Sequence, residues 1–488
     1  MRVRDLVSPS SATFVVGFLL VTVVGFADGG YFRESWGPIA IALSCLAGIT
    51  LLVRDRIEVA WLDLATLSAL AGFVAWTAFS AAWSSHAAET LHDGERGLVY
   101  VAALLALVLL VTAAHVRELL SGAAAGVALI AAYALGMRLF VDRPPPADPA
   151  QGTLLFEPLG YANALAVLLA VGLVLALGLA THGRTRGERA VWAAVPILLL
   201  PTLTLTESRA TSLAVLVGLG VLALLETRRG ALLATGLVVA APGAIAIWLT
   251  SRASALRDAS ATAEEAADAG RGLALALAAL AVVSALASLR TEWIERHLLR
   301  SRARWALAGG LVLALALAVG VSALGVDRPF GPRADYWRVA WGQWTENALL
   351  GSGAGTFSDF WRREGMTEDV LDAHSLYVES LAELGPAGLA LVLAALGVPL
   401  LAASIGRGSP LTAAAAGGYT VFLVHAGLDW DWEMPAVTLT GLVCGAALLA
   451  AARERRERIV VGRIGRASLS VAALAIALLA VVGPDTRV

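Results

Sequence analysis

Apolar residues fall along this chain in long blocks separated by short segments where arginine, acids, glycine and proline collect. A helix rises 1.5 Å per residue, so a block of about 20 apolar residues crosses the hydrocarbon of a bilayer. Fifteen such blocks are readable, at about 12–28, 36–53, 62–82, 98–114, 119–140, 160–180, 190–206, 210–226, 231–250, 271–289, 305–325, 384–404, 411–428, 434–452 and 467–483. The pattern predicts an all-α protein, a polytopic membrane helix bundle of about 14–15 spans. It divides into an N-terminal bundle over 1–325, a long loop over 326–383 and C-terminal helices over 384–488. Shorter interruptions fall at 141–159, which opens on Asp142, Arg143 and three prolines, and at 251–270, whose Glu264, Glu265 and Asp268 read as a solvated linker helix.

Composition fixes the solvent. With 58% hydrophobic and 15% charged residues and a mean hydropathy of +0.76, the chain is too apolar to cover a surface facing water. A net charge of −2 gives no reason to expect nucleic acid. All 36 basic residues are arginine, and they test the span count by alternation. With a cytoplasmic N-terminus, 22 arginines fall inside and 14 outside, and every short cluster lies on one side. Fifteen spans put the C-terminus outside. Cys45 and Cys444 lie far apart within apolar blocks, so no disulfide framework is readable. The first block follows MRVRD without a small-residue cleavage site and reads as a retained anchor.

The loop over 326–383 is too aromatic for a linker, with Trp337, Trp341, Trp344 and Trp361 among its residues. Trp337, Ala340, Trp341 and Trp344 recur at helical spacing, predicting an amphipathic helix whose apolar stripe lies on the membrane surface, with Arg333, Asp335, Arg338 and Glu346 off it. GSGAGTF at 351–357 lacks the lysine of a phosphate-binding loop and reads as a tight turn. Asp372 then caps a helix through His374, Tyr377, Val378 and Leu381, closed by Gly385-Pro386.

Ionisable groups at span ends are the candidates for chemistry. Arg209, in LTESRATS, offers a permanent, forked charge for a phosphate or carboxylate, with an ion pair to Glu207 as the structural alternative. His374 sits near a helix N-terminus, which favours a neutral imidazole able to accept a proton. Arg333 and Arg338 flank the aromatic stripe, and either completes an anion clamp if the loop folds back. In LDWDWEMP, Asp429, Asp431 and Glu433 read as solvated acids, with divalent-cation binding as the alternative. Asn163 and Glu95-Arg96 are polar groups at outward span ends, with capping as the alternative, and His425 lies one turn before the acids.

At these residues the chain resembles the O-antigen ligase and polymerase family of bacterial envelope glycosyltransferases. The match lies in R-x-x-Y-W-R-x-A-W from Arg333, the Gly-rich turn from Gly351 to Phe357 and AHSLYVESLAELGPAGL from Ala373. Ser208-Arg209-Ala210, Gly160-Tyr161-x-Asn163 and Ala82-Trp83-Ser84 followed by Glu95-Arg96 support it. The resemblance implies a GT-C-like bundle in the bacterial cytoplasmic membrane. On its outer face a glycan carried on polyprenyl diphosphate passes, with inversion, to a glycan, lipid or protein hydroxyl, without metal or cofactor. Carried over, Arg209 and Arg333 grip the diphosphate with Arg338 as the competing clamp, and His374 acts on the acceptor hydroxyl. Tyr377, Glu379, Asn163 and Asp429 support the site. Transport of a small anion such as bicarbonate is the rival reading, and a flippase or scaffold partner is a third.

Overall fold

A computed structural model describes residues 9–140, 148–297, 309, 331–366 and 370–482. The regular structure of the described residues is helical apart from one two-residue strand pair and an isolated bridge between Asp148 and Gly152. Every predicted span coincides with a helix except that at 305–325, which, Gly309 apart, lies outside the described residues. Among the described residues nine helices are long and apolar enough to cross a membrane, with Pro9–Gly25 and Arg209–Leu225 as shorter apolar ones. This is the architecture of a multi-pass membrane protein.

The helices gather into two compact units, each drawn from separated parts of the sequence. The first takes the described residues of Met1–Gly29, Arg117–Val326 and Gly408–Phe422. Its helices include α1 (Pro9–Gly25), α5 (Val116–Leu139), α6 (Ala162–Thr181), α7 (Arg186–Thr204), α8 (Arg209–Leu225), α9 (Arg229–Arg252) and α10 (Ala263–Ser288). Glycine sets how closely some of these approach. A Cβ on Gly122 of α5 would stand 2.1 Å from the Phe14 carbonyl oxygen of α1, so only a bare backbone fits that crossing. The acidic run expected as a linker instead begins α10, where Thr262 and Glu265 form a reciprocal capping box.

The second unit takes Gly30–Val116 and the described residues of Asp327–Arg407 and Leu423–Val488. Six long helices run between its two ends: α2 (Arg33–Val53), α3 (Trp61–Phe79), α4 (Ala87–Leu110), α14 (Leu376–Ile405), α16 (Pro435–Arg453) and α17 (Arg463–Val482). One end collects the starts of α2, α4, α14 and α16. Here α12 (Arg333–Glu346) and α13 (Phe357–Arg363) pack on the start of α14. The other end carries the strands β1 (Glu58–Val59) and β2 (Ile459–Val460). There Arg453 forms a buried bidentate pair with Asp63, at 2.9 and 3.0 Å, and also donates to the Val111 carbonyl. A buried charge is tolerable only when paired this completely.

The long loop folds on its own small core. Tyr336, Val339 and Ala340 of α12 meet Phe357 and Trp361 of α13, with Val370, Ala373 and Ala382 closing the cluster. The buried face of α12 is therefore Tyr336-Val339-Ala340-Gln343, one step round the helix from the predicted tryptophan stripe. Trp337 and Trp344 pack at its margin, and Trp341 is 58% exposed. As predicted, the helix beginning α14 breaks at Gly385, whose φ of 66° takes it out of the helical region.

Candidate functional site

The loop end of the second unit encloses an open cavity of about 1620 Å³. Tyr31 and Arg33 enter it from the approach to α2, and Glu89, His92, Asp93 and Arg96 from the first turns of α4. Opposite them stand Tyr336, Asp372, His374, Glu379, Glu383, Trp430 and Glu433. Carboxylates thus outnumber arginines, and aromatic faces lie between them.

His374 is held from below by its own neighbours. Its backbone adopts φ 50°, a left-handed conformation that places Asp372 under it. The Asp372 carboxylate accepts the His374 N–H at 2.9 Å and lies 2.7 Å from Nδ1. The Tyr336 ring stands 4.8 Å from the imidazole, centroid to centroid. Burial works to lower the imidazole's pKa, but the hydrogen bond and charge of Asp372 outweigh it, and the net shift is upward from 6.5. The shift runs opposite to the one expected at a helix N-terminus. Asp372 is also not the cap of α14; Ser375 is, accepting the Val378 N–H. With Nδ1 committed to Asp372, Nε2 is the ring atom left for a ligand.

Glu379, one turn into α14, is 7% exposed and accepts the Ala373 N–H at 3.0 Å, which fixes the turn that carries His374. One turn further, the Glu383 carboxylate accepts the N–H groups of Gly355, Thr356 and Phe357 at 3.0, 2.9 and 2.9 Å. The start of α13 is thus an anion-binding helix N-terminus occupied by the protein's own carboxylate. The turn leading there requires glycine. At Gly353 φ is 98°, and a Cβ would stand 2.5 Å from Cβ of Ser84.

Across the cavity, the buried Arg96 donates to Asp93 at 3.0 Å and Glu433 at 2.7 Å, with the Tyr31 ring 5.7 Å away. Burial pushes the Glu433 carboxyl up to about 7 against the pull of Arg96. Burial and the Glu433 charge raise the Tyr31 phenol. Arg33 approaches Glu95 at 3.9 Å and lies over the Trp36 ring.

The other predicted residues are dispersed. Arg333 donates through Nε to the Leu428 carbonyl and through its second nitrogen to Asp429 at 2.6 Å. Asp429 is fully buried and serves as the anchor of Arg333. Arg338 is 55% exposed, pairs with Glu364 at 3.4 Å and does not line the cavity. The Tyr377 hydroxyl donates to the Leu423 carbonyl at 2.9 Å. Asp431 pairs with His425 at 3.2 Å and Glu433 with Arg96, so the three acids of LDWDWEMP turn to three different basic partners. Among the described residues no group of three or more His, Cys, Asp or Glu side chains is arranged for a metal ion. Arg209 and Asn163 belong to the first unit. Arg209 stands exposed at the start of α8, Glu207 pairs with Arg257 at 3.3 Å, and the Asn163 amide donates to the Tyr161 hydroxyl at 2.9 Å.

Arg33, Tyr31 and Glu383 were not singled out by sequence reasoning. Arg33 carries a usable signal, a lone arginine opening an apolar span. Glu383 carries none, because its three partners lie 26 to 28 residues away. No protein-family model matches the chain, and no curated protein sequence matches it.

Proposed function

We propose that the protein transfers a glycan from a polyprenyl-diphosphate carrier to a hydroxyl acceptor, at the cavity end of the second unit, on the outer face of a bacterial cytoplasmic membrane. The observation that carries this reading is the Asp372–His374 pair, with Nε2 making no hydrogen bond among the described residues, on the wall of a cavity lined by carboxylates and aromatic rings. Carboxylates accept hydrogen bonds from sugar hydroxyls, and aromatic faces pack against sugar C–H groups. A site for a small anion alone would not be lined by Glu89, Asp93, Glu379, Glu383 and Glu433, which counts against anion transport.

In the proposed step the acceptor oxygen attacks the anomeric carbon while its proton passes to Nε2 of His374. The bond from that carbon to the diphosphate oxygen breaks, and the diphosphate leaves with the electron pair. Attack opposite the leaving group inverts the centre. Asp372 stabilises the imidazolium that forms. Arg33 lines the cavity at the start of α2, and its forked guanidinium is placed there to meet the diphosphate. Arg96 is committed to Asp93 and Glu433, and Arg333 must exchange Asp429 for phosphate in order to join.

The test is a deletion strain complemented with wild type, His374→Ala, Arg33→Ala or Arg209→Ala, accumulated to equal levels, with surface glycan and lipid-linked glycan both measured. His374→Ala is expected to lose roughly 10²-fold or more in transfer and to leave lipid-linked glycan unconsumed. Full restoration of surface glycan by His374→Ala sinks the reading.

A further inference from the structure

The opposite end of the second unit holds a smaller cavity of about 340 Å³. Leu64, Leu67, Leu105, Val108 and Leu109 line it from the α3 and α4 side, and Val461 closes it beside the strand pair. Its one acidic wall residue, Asp63, is spent on Arg453. Two of the helices that line it, α3 and α17, are long and apolar enough to cross a membrane, which suits the slot to an alkyl chain.

The segment beside it is strongly basic, with six arginines against Glu454 and Glu457 between Arg453 and Arg466. Two of the six have carboxylate partners, Arg453 on Asp63 and Arg458 on Glu58. Arg466 donates to the backbone carbonyls of Leu51, Arg54 and Asp55, which orient its guanidinium without neutralising it. Arg54 is held likewise by the carbonyls of Leu109 and Leu110, two of the residues at the cavity end of α4. Arg455, Arg456 and Arg463 are exposed. An apolar slot is thus rimmed by fixed and exposed positive charge, complementary to a molecule with an alkyl chain and a negative head.

From this we infer that the β1–β2 end binds one anionic phospholipid, an acyl chain in the 340 Å³ cavity and the phosphate among Arg455, Arg456 and Arg463. Basic clusters next to membrane helices attract anionic headgroups by about 1 kcal/mol per arginine, equivalent to more than tenfold in affinity for three. The inference does not depend on the glycan-transfer reading.

The test uses the full chain in detergent, titrated with dioleoyl phosphatidylglycerol or dioleoyl phosphatidylcholine and read by native mass spectrometry. Phosphatidylglycerol is expected to bind at least tenfold tighter. The triple variant Arg455→Ala, Arg456→Ala, Arg463→Ala, exposed positions that leave the fold intact, is expected to abolish that preference. Leu67→Trp, which fills the cavity, is expected to weaken both lipids. Equal binding of the two lipids by wild type overturns the inference, as does a triple variant that keeps the preference. Displacement of phosphatidylglycerol by millimolar inorganic phosphate does so too, since the site would then read phosphate alone. The comparison of lipids on wild type decides the matter even if a variant fails to accumulate.

Discussion

The chemistry of His374 turns on a residue two positions before it. Asp372 holds Nδ1 and raises the imidazole's pKa above its ordinary 6.5, so the ring keeps its proton to higher pH than a free imidazole does. A base must be deprotonated to act, so transfer by the wild type is expected to rise with pH through that elevated value. Replacing Asp372 with Asn removes the charge that favours the imidazolium. The acid limb of the pH profile should then move to lower pH while the maximal rate falls, because neither tautomer nor proton is held. A profile of initial rates in membranes for wild type and Asp372→Asn checks this. An unmoved limb would mean that His374 is not the titrating group. Sequence reasoning reached His374 through its loop and its motif. It cast Asp372 as a helix cap because Asp before a helix is an ordinary cap, whereas the left-handed backbone at His374 turns the carboxylate onto the ring instead.

At the scale of elements, the spans were legible because lipid leaves few choices for an apolar run, and the predicted blocks and the helices differ mainly at their ends. The face of α12 was less so. Its tryptophans mark an apolar stripe in the sequence, yet the helix buries Tyr336, Val339, Ala340 and Gln343, since its partners are α13 and the turn before His374. Only distant contacts decide such a choice. The same holds for the Gly-rich turn, legible as a turn but not as the partner of Glu383. Two substitutions probe that pairing. Gly353→Ala places a Cβ 2.5 Å from Cβ of Ser84 at a φ of 98° and is expected to cost about 1–3 kcal/mol. Glu383→Gln halves the acceptor capacity facing three N–H groups and is expected to cost about 1–3 kcal/mol. Thermal unfolding of the purified proteins should show both. Midpoints equal to wild type would mean that the turn does not depend on Glu383.

At the scale of the whole molecule, the alternation of arginine along the sequence acquires a structural counterpart in the second unit. The end holding the His374 cavity is rich in carboxylates, whereas the end with β1 and β2 gathers Arg54, Arg56 and the six arginines from Arg453 to Arg466. Helices of 19 to 24 residues such as α16 and α4 separate the two ends by about 30 Å, the thickness of a bilayer core. The bias of arginine toward the cytoplasm then predicts which end faces which compartment. With Cys45 and Cys444 replaced by Ala, a single cysteine at Glu89 is expected to react with a membrane-impermeant maleimide added to intact cells. A cysteine at Arg456 is expected to react only after the membrane is opened. The reverse pattern would put the cavity in the cytoplasm, where a glycan on the outer leaflet cannot reach it, and the transfer proposal would fall even if His374 proved essential. Labelling of both positions from outside would mean that the six helices do not span, and the charge asymmetry would need an explanation other than the bilayer.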